Sequence, residues 1–306
     1  MTTSTGYESV PIHVMTPWDG PRGQRVHFGG EGPVAVEVCP ADGCRIVSLR
    51  AFGRELLRQW SPGRAVYQYG AFPMVPWVGR LGGGLLYWQG RTYQMPVNNA
   101  PHALHGFGCF GSWTVLDNGG FGCDLGEWWP WPATAGFRVA VDGATVRLTQ
   151  TVTAGPQSFP AQLGLHPWFR RHIDEDEADG AARMTMTPAW QAQRGANGLP
   201  TGVRIPPQPE PWDDCFGFDS GMSCRIDWDE VTMRMESSAP CATVFSVPED
   251  AVCVEPQTSV PNVLNSDPAA TVVEAGQTLT LETTLTFSRQ SSAVKSERSV
   301  PRRSAL

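Results

Sequence analysis

The sequence lacks any long apolar run. No stretch of its 306 residues approaches 18 consecutive apolar residues, whereas a membrane-spanning helix needs about 20. Residues 1–17 also lack the basic start and apolar run that are typical of a signal peptide. The sequence therefore predicts a cytoplasmic protein that does not bind membranes.

Positive charge is scarce in this chain. Lys and Arg together number 23, against 30 Asp and Glu, which leaves a net charge of -7. The body of the chain has no basic block, and basic residues are concentrated only in residues 289–306. Nucleic acids attract proteins through clustered Lys and Arg, so the composition argues against a nucleic-acid partner.

Motifs for metals and cofactors are also missing. The eight cysteines form no CxxC pair and stand at no zinc-type spacing to histidine, so we expect reduced, mostly buried thiols. Gly82-Gly83-Gly84 lacks the Lys-Ser/Thr of a phosphate loop and is not a GxGxxG segment, so we interpret it as a turn. The sequence predicts neither a metal ion nor a cofactor.

No 11-residue window shows a helical stripe, and 33 Gly and 27 Pro indicate many turns. Instead, apolar residues recur with a period of two, which is typical of half-buried antiparallel strands. No fixed-period repeat of a propeller is present. The sequence therefore predicts an all-β fold, with alternating core residues at Val34, Val36 and Val38; Val146 and Leu148; Val231, Met233 and Met235; and Leu279, Leu281, Leu285 and Phe287.

No linker divides the middle of the chain, so we expect one domain over residues 25–288. Residues 1–24 form an N-terminal extension and first turn in this interpretation. Residues 289–306 are rich in Ser and Arg and are predicted to be a disordered tail. The acidic run at 174–179 is predicted to be a solvated loop. The sequence leaves both a monomer and a homodimer possible.

Two titratable residues stand in apolar surroundings. Glu255 follows the apolar run 251–254, and His166 lies between Leu165 and Pro167. A buried carboxylate or imidazole must find a partner or shift its pKa. A single histidine of this kind is more often structural than catalytic. Facing one another, the two groups would each offset the other's cost, which makes them candidates for an acid–base pair.

Four segments in order carry a resemblance to a known family. They are Pro76-Trp-Val-Gly-Arg80, Leu104-His-Gly106, Gly164-Leu-His-Pro-Trp-Phe169 and Val252-Cys-Val-Glu-Pro-Gln-Thr258. Together they resemble the aldose 1-epimerase (galactose mutarotase-like) family over about residues 25–288. The resemblance implies a large antiparallel β-sandwich with one open sugar-binding cleft.

The resemblance also implies a function and its residues. The expected activity is interconversion of the α and β anomers of a free aldose, such as a hexose, without a cofactor. Glu255 matches the general base and His166 the general acid. His105 and Arg80 match substrate-binding residues. Asp213 matches an aspartate that binds sugar hydroxyls, although the adjacent Asp214 is an alternative.

Several points stay open in the sequence. Family members active on galactose carry Asn directly before the arginine, whereas Gly79 stands here, so the identity of the aldose is open. An epimerase for an anionic sugar, phosphorylated or sulfonated, is a separate alternative. A sugar-sensing domain without turnover is a further alternative. The Trp-rich segment 126–132 could roof the cleft or be a packed loop. Finally, mutual attraction is expected to raise the pKa of His166 and to lower that of Glu255.

Overall fold

The structure is a computed structural model that describes residues 8–9, 20–126, 129–173 and 181–289. Most of the predicted N-terminal extension lies outside the described residues. The predicted acidic loop at 174–179 and residues 290–306 of the predicted tail also lie outside them. Two residues of the Trp-rich segment, 127 and 128, are likewise not described.

The described residues form 26 strands and very little helix. In chain order the strands are β1 Glu8–Ser9, β2 Val26–Phe28, β3 Val34–Cys39, β4 Arg45–Ala51, β5 Arg54–Glu55, β6 Ala71–Met74, β7 Arg80–Leu81, β8 Leu85–Trp88, β9 Arg91–Gln94, β10 Ala103–Leu104, β11 Thr114–Val115, β12 Phe121–Asp124, β13 Ala133–Asp142, β14 Thr145–Ala154, β15 Phe159–Pro160, β16 Gly164–Arg170, β17 Arg183–Met186, β18 Trp190–Arg194, β19 Pro200–Ile205, β20 Asp213–Gly217, β21 Met222–Asp227, β22 Val231–Ser237, β23 Cys241–Phe245, β24 Ala251–Gln257, β25 Val272–Val273 and β26 Thr278–Arg289. One short α-helix, α1, spans Val263–Ser266, and 3-10 turns span Gly82–Gly84, Gly108–Phe110 and Pro268–Thr271.

Two large sheets dominate the fold. One has eight strands in the order β11-β12-β13-β14-β26-β22-β21-β17. The other has eleven strands: β19-β18-β20-β23-β24-β16-β6-β4-β3-β2 in order, with β5 paired to β4. Neighbouring strands within both sheets are antiparallel. The predicted all-β antiparallel sandwich is therefore confirmed.

The alternating segments supply the core between the sheets. Along β14, Val146 and Leu148 are buried in the main core cluster, while Arg147 between them is exposed. The β13–β14 hairpin closes at Asp142 and Thr145, and Gly143 in its two-residue loop has φ +56°, a conformation that favours glycine. The predicted core residues on β3, β22 and β26 are buried as well, except Leu279, which is half-buried.

Strands β16 and β24 differ from this pattern because nearly all of their residues are buried. They are neighbours near the middle of the eleven-stranded sheet. One face of this pair lies on the main core, and the other face forms the floor of the cleft described below. No helix among the described residues is long and apolar enough to cross a membrane.

Candidate active site

The strand register brings His166 and Glu255 together. β16 and β24 are antiparallel, with Gly164 opposite Gln257 and Trp168 opposite Cys253. His166 and Glu255 lie midway between these two pairs, so their side chains project from the same face of the sheet. Nε2 of His166 is 3.2 Å from Oε1 of Glu255. The structure thus brings the predicted acid and the predicted base into direct contact.

The burial of Glu255 follows from the period of its strand. Val252 and Val254 point into the main core. The alternate face of β24 carries Ala251 and Cys253, which pack in a second apolar cluster with Phe72 and Trp168, among others. Glu255 lies on this second face at the edge of the cluster, where only 2% of its surface is exposed.

Aromatic rings pack around the imidazole of His166. Phe72, directly opposite on β6, stacks on the imidazole with centroids 4.7 Å apart and an interplanar angle of 24°. Trp168 also stacks with it, at 5.4 Å and 16°. The ring of His105 meets the imidazole edge-on at 4.7 Å. Phe72 and Trp168 thus fix the plane of the imidazole, and within that plane Nε2 faces Glu255.

His105 is placed by an unusual backbone conformation. Its φ is +63°, which L-residues seldom adopt and which is often found at functional sites. Its N–H donates a hydrogen bond to the carbonyl oxygen of Gly79 at 3.0 Å. The next residue, Gly106, has φ +67°, and a Cβ there would lie 2.1 Å from the carbonyl oxygen of Val75. The Leu-His-Gly segment therefore needs its glycine to bring His105 beside His166.

Arg80 and Asp213 form the polar wall of the cleft. β7 pairs with β10 so that Arg80 lies opposite Leu104, the residue before His105. Nη2 of Arg80 donates to Oδ2 of Asp213 at 3.0 Å. Nη1 of Arg194 donates to the same oxygen at 2.7 Å, and its Nε lies 3.6 Å from Oδ1 of Asp214. The wall thus holds two guanidinium groups and two carboxylates.

Arg194 was missed by the sequence analysis. It is the last residue of β18, and its side chain is 40% exposed. Nothing in the surrounding Gln193-Arg194-Gly195 distinguishes it from an ordinary surface arginine. Only the order β18-β20-β23-β24-β16 brings it to the cleft.

Gly79 has a structural explanation. Its φ is +54°, and a Cβ built on it would lie 2.8 Å from Cγ and 2.9 Å from Cβ of Pro261. Pro261 therefore fills the space next to this position and lines the cleft in its own right. At this point, directly before Arg80, the wall of the cleft is an apolar proline ring.

All five predicted residues line one cleft of about 310 Å³. Arg194, Asp214, Trp168, Phe245 and Pro261 are among the other lining residues. The described part of the Trp-rich segment does not line it: Trp129 and Trp131 are buried and pack on each other and on Phe159. That part is a packed loop.

Burial sets the pKa values in the cleft. It raises the pKa of Glu255 well above its ordinary value; Asp213 raises it further, and Arg80 lowers it. It lowers the pKa of His166 well below its ordinary value, helped by His105 and Arg45. Burial and Arg80 lower the pKa of His105 to about 3. The expectation that attraction within the pair would prevail was wrong, because desolvation is the larger cause.

A pair whose two pKa values are shifted in these directions still suits proton transfer. A neutral imidazole with a protonated carboxyl group holds one titratable proton besides the imidazole N–H, as does an imidazolium with a carboxylate. Transfer of that proton between Nε2 and Oε1, 3.2 Å apart, converts one form into the other. The cleft therefore contains a pair that can accept a proton at one atom while donating one at the other.

The fold and the cleft define a class: antiparallel β-sandwich proteins with an imidazole–carboxylate pair in an open polar cleft. A comparison with protein-family models then matches residues 36–286 to aldose 1-epimerase. The chain therefore belongs to the aldose 1-epimerase family, as its four sequence motifs predicted.

Individual relatives are distant. The uncharacterized protein YphB of Escherichia coli (strain K12) is 26% identical over 231 residues, covering 68% of this chain and 79% of YphB. A galactose mutarotase-like protein from Clostridium acetobutylicum superposes with a TM-score of 0.74 at 17% identity, covering 87% of this chain and 95% of its own. Galactose 1-epimerase from Lactobacillus acidophilus NCFM gives 0.71 at 12%, with the same coverages of 87% and 95%. At these identities the two structures support the fold alone.

Proposed function

We propose that this protein is an aldose 1-epimerase that interconverts the α and β anomers of a free, neutral aldose. The observation that carries the proposal is the 3.2 Å contact between His166 and Glu255. The contact lies inside a cleft that also contains Arg80, His105 and Asp213. Anomer exchange needs one group that removes a proton and another that supplies one.

In this mechanism, Glu255 takes the proton of the anomeric hydroxyl and His166 gives a proton to the ring oxygen. The C1–O5 bond breaks and leaves an open-chain aldehyde and a hydroxyl on C5. Rotation about C1–C2 by about half a turn presents the other face of the aldehyde. The hydroxyl then attacks C1 while His166 takes its proton and Glu255 returns one to the former carbonyl oxygen. Each proton transfer is expected to contribute roughly 10²–10⁴-fold to the rate.

The remaining residues bind the sugar in this proposal. Arg80 donates hydrogen bonds to sugar hydroxyls and Asp213 accepts them. His105 is uncharged because its pKa is lowered to about 3, so it offers one donor and one acceptor. Trp168 also lines the cleft and provides an apolar surface for the C–H groups of the ring.

A neutral sugar fits the charges of the polar wall. The guanidinium groups of Arg80 and Arg194 are both paired with Asp213, and Arg194 also approaches Asp214. An anionic sugar would have to compete with these carboxylates for the same guanidinium groups. The balance of two positive and two negative charges therefore favours hydroxyl recognition.

Polarimetry on freshly dissolved α-anomers tests the proposal. A panel of neutral hexoses and pentoses is compared with hexose 6-phosphates and hexuronic acids. We expect the protein to accelerate the relaxation of at least one neutral aldose well beyond the buffer rate. If no sugar relaxes faster than in buffer while a sugar still binds, the protein is a sensing domain and the proposal fails. Faster relaxation of the anionic sugars would contradict the neutral substrate.

A further inference from the structure

Three potential metal ligands converge at the floor of the cleft. His105, His166 and Glu255 each offer one nitrogen or oxygen atom, and these atoms all lie within 4.8 Å of one another. At most 7% of the surface of each residue is exposed. Among the residues that the structure describes, this is the only such group of three.

One of the three separations already matches a zinc site. Two ligands of a tetrahedral zinc ion with bonds of 2.0–2.1 Å lie about 3.4 Å apart, and Nε2 of His166 is 3.2 Å from Oε1 of Glu255. The His105 atom lies within 4.8 Å of the other two, so it would have to move closer by at most about 1.4 Å to complete the set. Nδ1 of His105 is buried without a hydrogen-bond partner, so no such bond at that nitrogen resists the movement.

The chemistry of the donors selects the kind of ion. Two imidazoles and a carboxylate suit Zn²⁺, Co²⁺, Ni²⁺ or Cu²⁺ better than Mg²⁺ or Ca²⁺, which prefer oxygen ligands. The Arg80 guanidinium would repel a cation, but its charge is offset by Asp213 at 3.0 Å.

We propose that, when no sugar is bound, the cleft binds one divalent transition-metal ion through His105, His166 and Glu255. The bound ion occupies the carboxylate and the imidazole lone pairs, so ion and sugar exclude each other. The exclusion of sugar, and hence inhibition by the ion, rests on the proposed function, whereas the binding of the ion does not. Activity would then require that free transition-metal ions be kept low.

Titration of the chelator-treated full chain with Co²⁺ tests the site, because the visible absorption of bound Co²⁺ depends on its ligands. We expect saturable binding of one ion with nitrogen and oxygen ligands. His105→Asn, His166→Asn and Glu255→Gln should each weaken binding by at least about tenfold. Asparagine tolerates the positive φ of residue 105, so His105→Asn keeps the test valid if His166→Asn fails to fold. His27→Gln is the control, because that histidine side chain is 69% exposed, and it should bind like wild type.

Three results would overturn the ion site: no saturable binding, thiolate-to-cobalt absorption that indicates cysteine ligands, or equal weakening by His27→Gln. Polarimetry with added Zn²⁺ then tests exclusion: relaxation should slow as the site fills and recover with a chelator. Full activity at a saturating concentration of Zn²⁺ would overturn the mutual exclusion of ion and sugar. Ion binding without turnover of any sugar would refute the proposed function and leave the ion site standing. Turnover of a sugar without ion binding would refute the ion site and leave the proposed function standing.

Discussion

Side chains alternate between two faces in strand β14 of the eight-stranded sheet and in strands β16 and β24 of the eleven-stranded sheet. The two regions differ in whether both faces are buried. On β14, buried residues such as Leu148 alternate with exposed Arg147 and with half-buried threonines. On β24, Val254 faces the main core while Glu255 on the opposite face is also buried. Both faces of β24 are covered, one by the main core and the other by the second apolar cluster at the floor of the cleft.

This difference separates stability from chemistry. An exposed strand face accepts polar residues without cost, so charges there carry little information. A covered face buries its polar residues at a cost in free energy, so a carboxylate and an imidazole retained there call for a function. The comparison predicts that substitutions of the cleft-lining residues of β16 and β24 act mainly on activity, and those of the core residues of β14 mainly on stability.

The largest expected effect is on turnover. Glu255→Gln and His166→Asn should each lower kcat by roughly 10²–10⁴-fold, because each removes one proton transfer. Glu236→Gln makes the same change on β22, where the glutamate side chain is 51% exposed, and should leave kcat unchanged. Polarimetry of the three variants measures this, and a loss in Glu236→Gln equal to that in Glu255→Gln would contradict the comparison.

The next effect is on stability. Leu148→Ala empties part of the main core, where Leu148 is 1% exposed, and should lower the free energy of unfolding by about 2–5 kcal/mol. Arg147→Ala on the exposed face should change it by less than about 0.5 kcal/mol. Urea titration measures both, and kcat per folded molecule should stay at the wild-type value. A fall in that kcat for Leu148→Ala would show that the two regions are not separable.

A smaller effect is expected at Gly79. Gly79→Ala places a Cβ against Pro261 in a backbone with φ +54°, which should displace Arg80 and His105 and lower kcat/KM by about tenfold. Gly53→Ala is the control, because Gly53 also has a positive φ, +87°, but open space around it. Both variants should lose roughly 1–2 kcal/mol of stability to backbone strain. Steady-state kinetics decides the point: equal loss of activity in both would refute the crowding argument.

The mildest test is the pH profile of the wild type. At pH values between the lowered pKa of His166 and the raised pKa of Glu255, the pair holds one titratable proton. As pH falls, activity should be lost when the His166 imidazole is protonated, which its lowered pKa places below the ordinary pH range of histidine. As pH rises, activity should be lost when the pair gives up its titratable proton. We expect a broad bell in kcat/KM, and acid and alkaline limbs that stay unchanged in both Glu255→Gln and His166→Asn would argue against the pair.

Much of this comparison could be predicted from the sequence. Alternation at Val146 and Leu148 indicates a half-buried strand without further information. Glu255 stood out because its apolar neighbours made an exposed strand face implausible. The contact with His166 could not be deduced from the residues alone, because register between β16 and β24 depends on long-range pairing. The pKa directions were missed because the depth of the cleft, and so the desolvation, is a property of the folded chain.

Arg194 marks the limit of sequence reasoning. It lies 19 residues before Asp213 along the chain, yet its guanidinium bonds that carboxylate at 2.7 Å. Its role depends on strand order, which no local pattern encodes. The sequence shows that Gly79 lacks the amide of galactose-active members. The contact with Pro261, which leaves no room for a side chain at this position, is visible only in the fold.

Exchange of magnetisation between the anomeric protons of an equilibrated sugar tests the central claim most directly. It detects ring opening and reclosure without any change in composition. With wild-type protein and a sugar found active by polarimetry, we predict exchange between the α and β resonances that is absent in buffer and lost in both Glu255→Gln and His166→Asn. Exchange that persists at the wild-type rate in either variant would contradict the account of this His166–Glu255 pair.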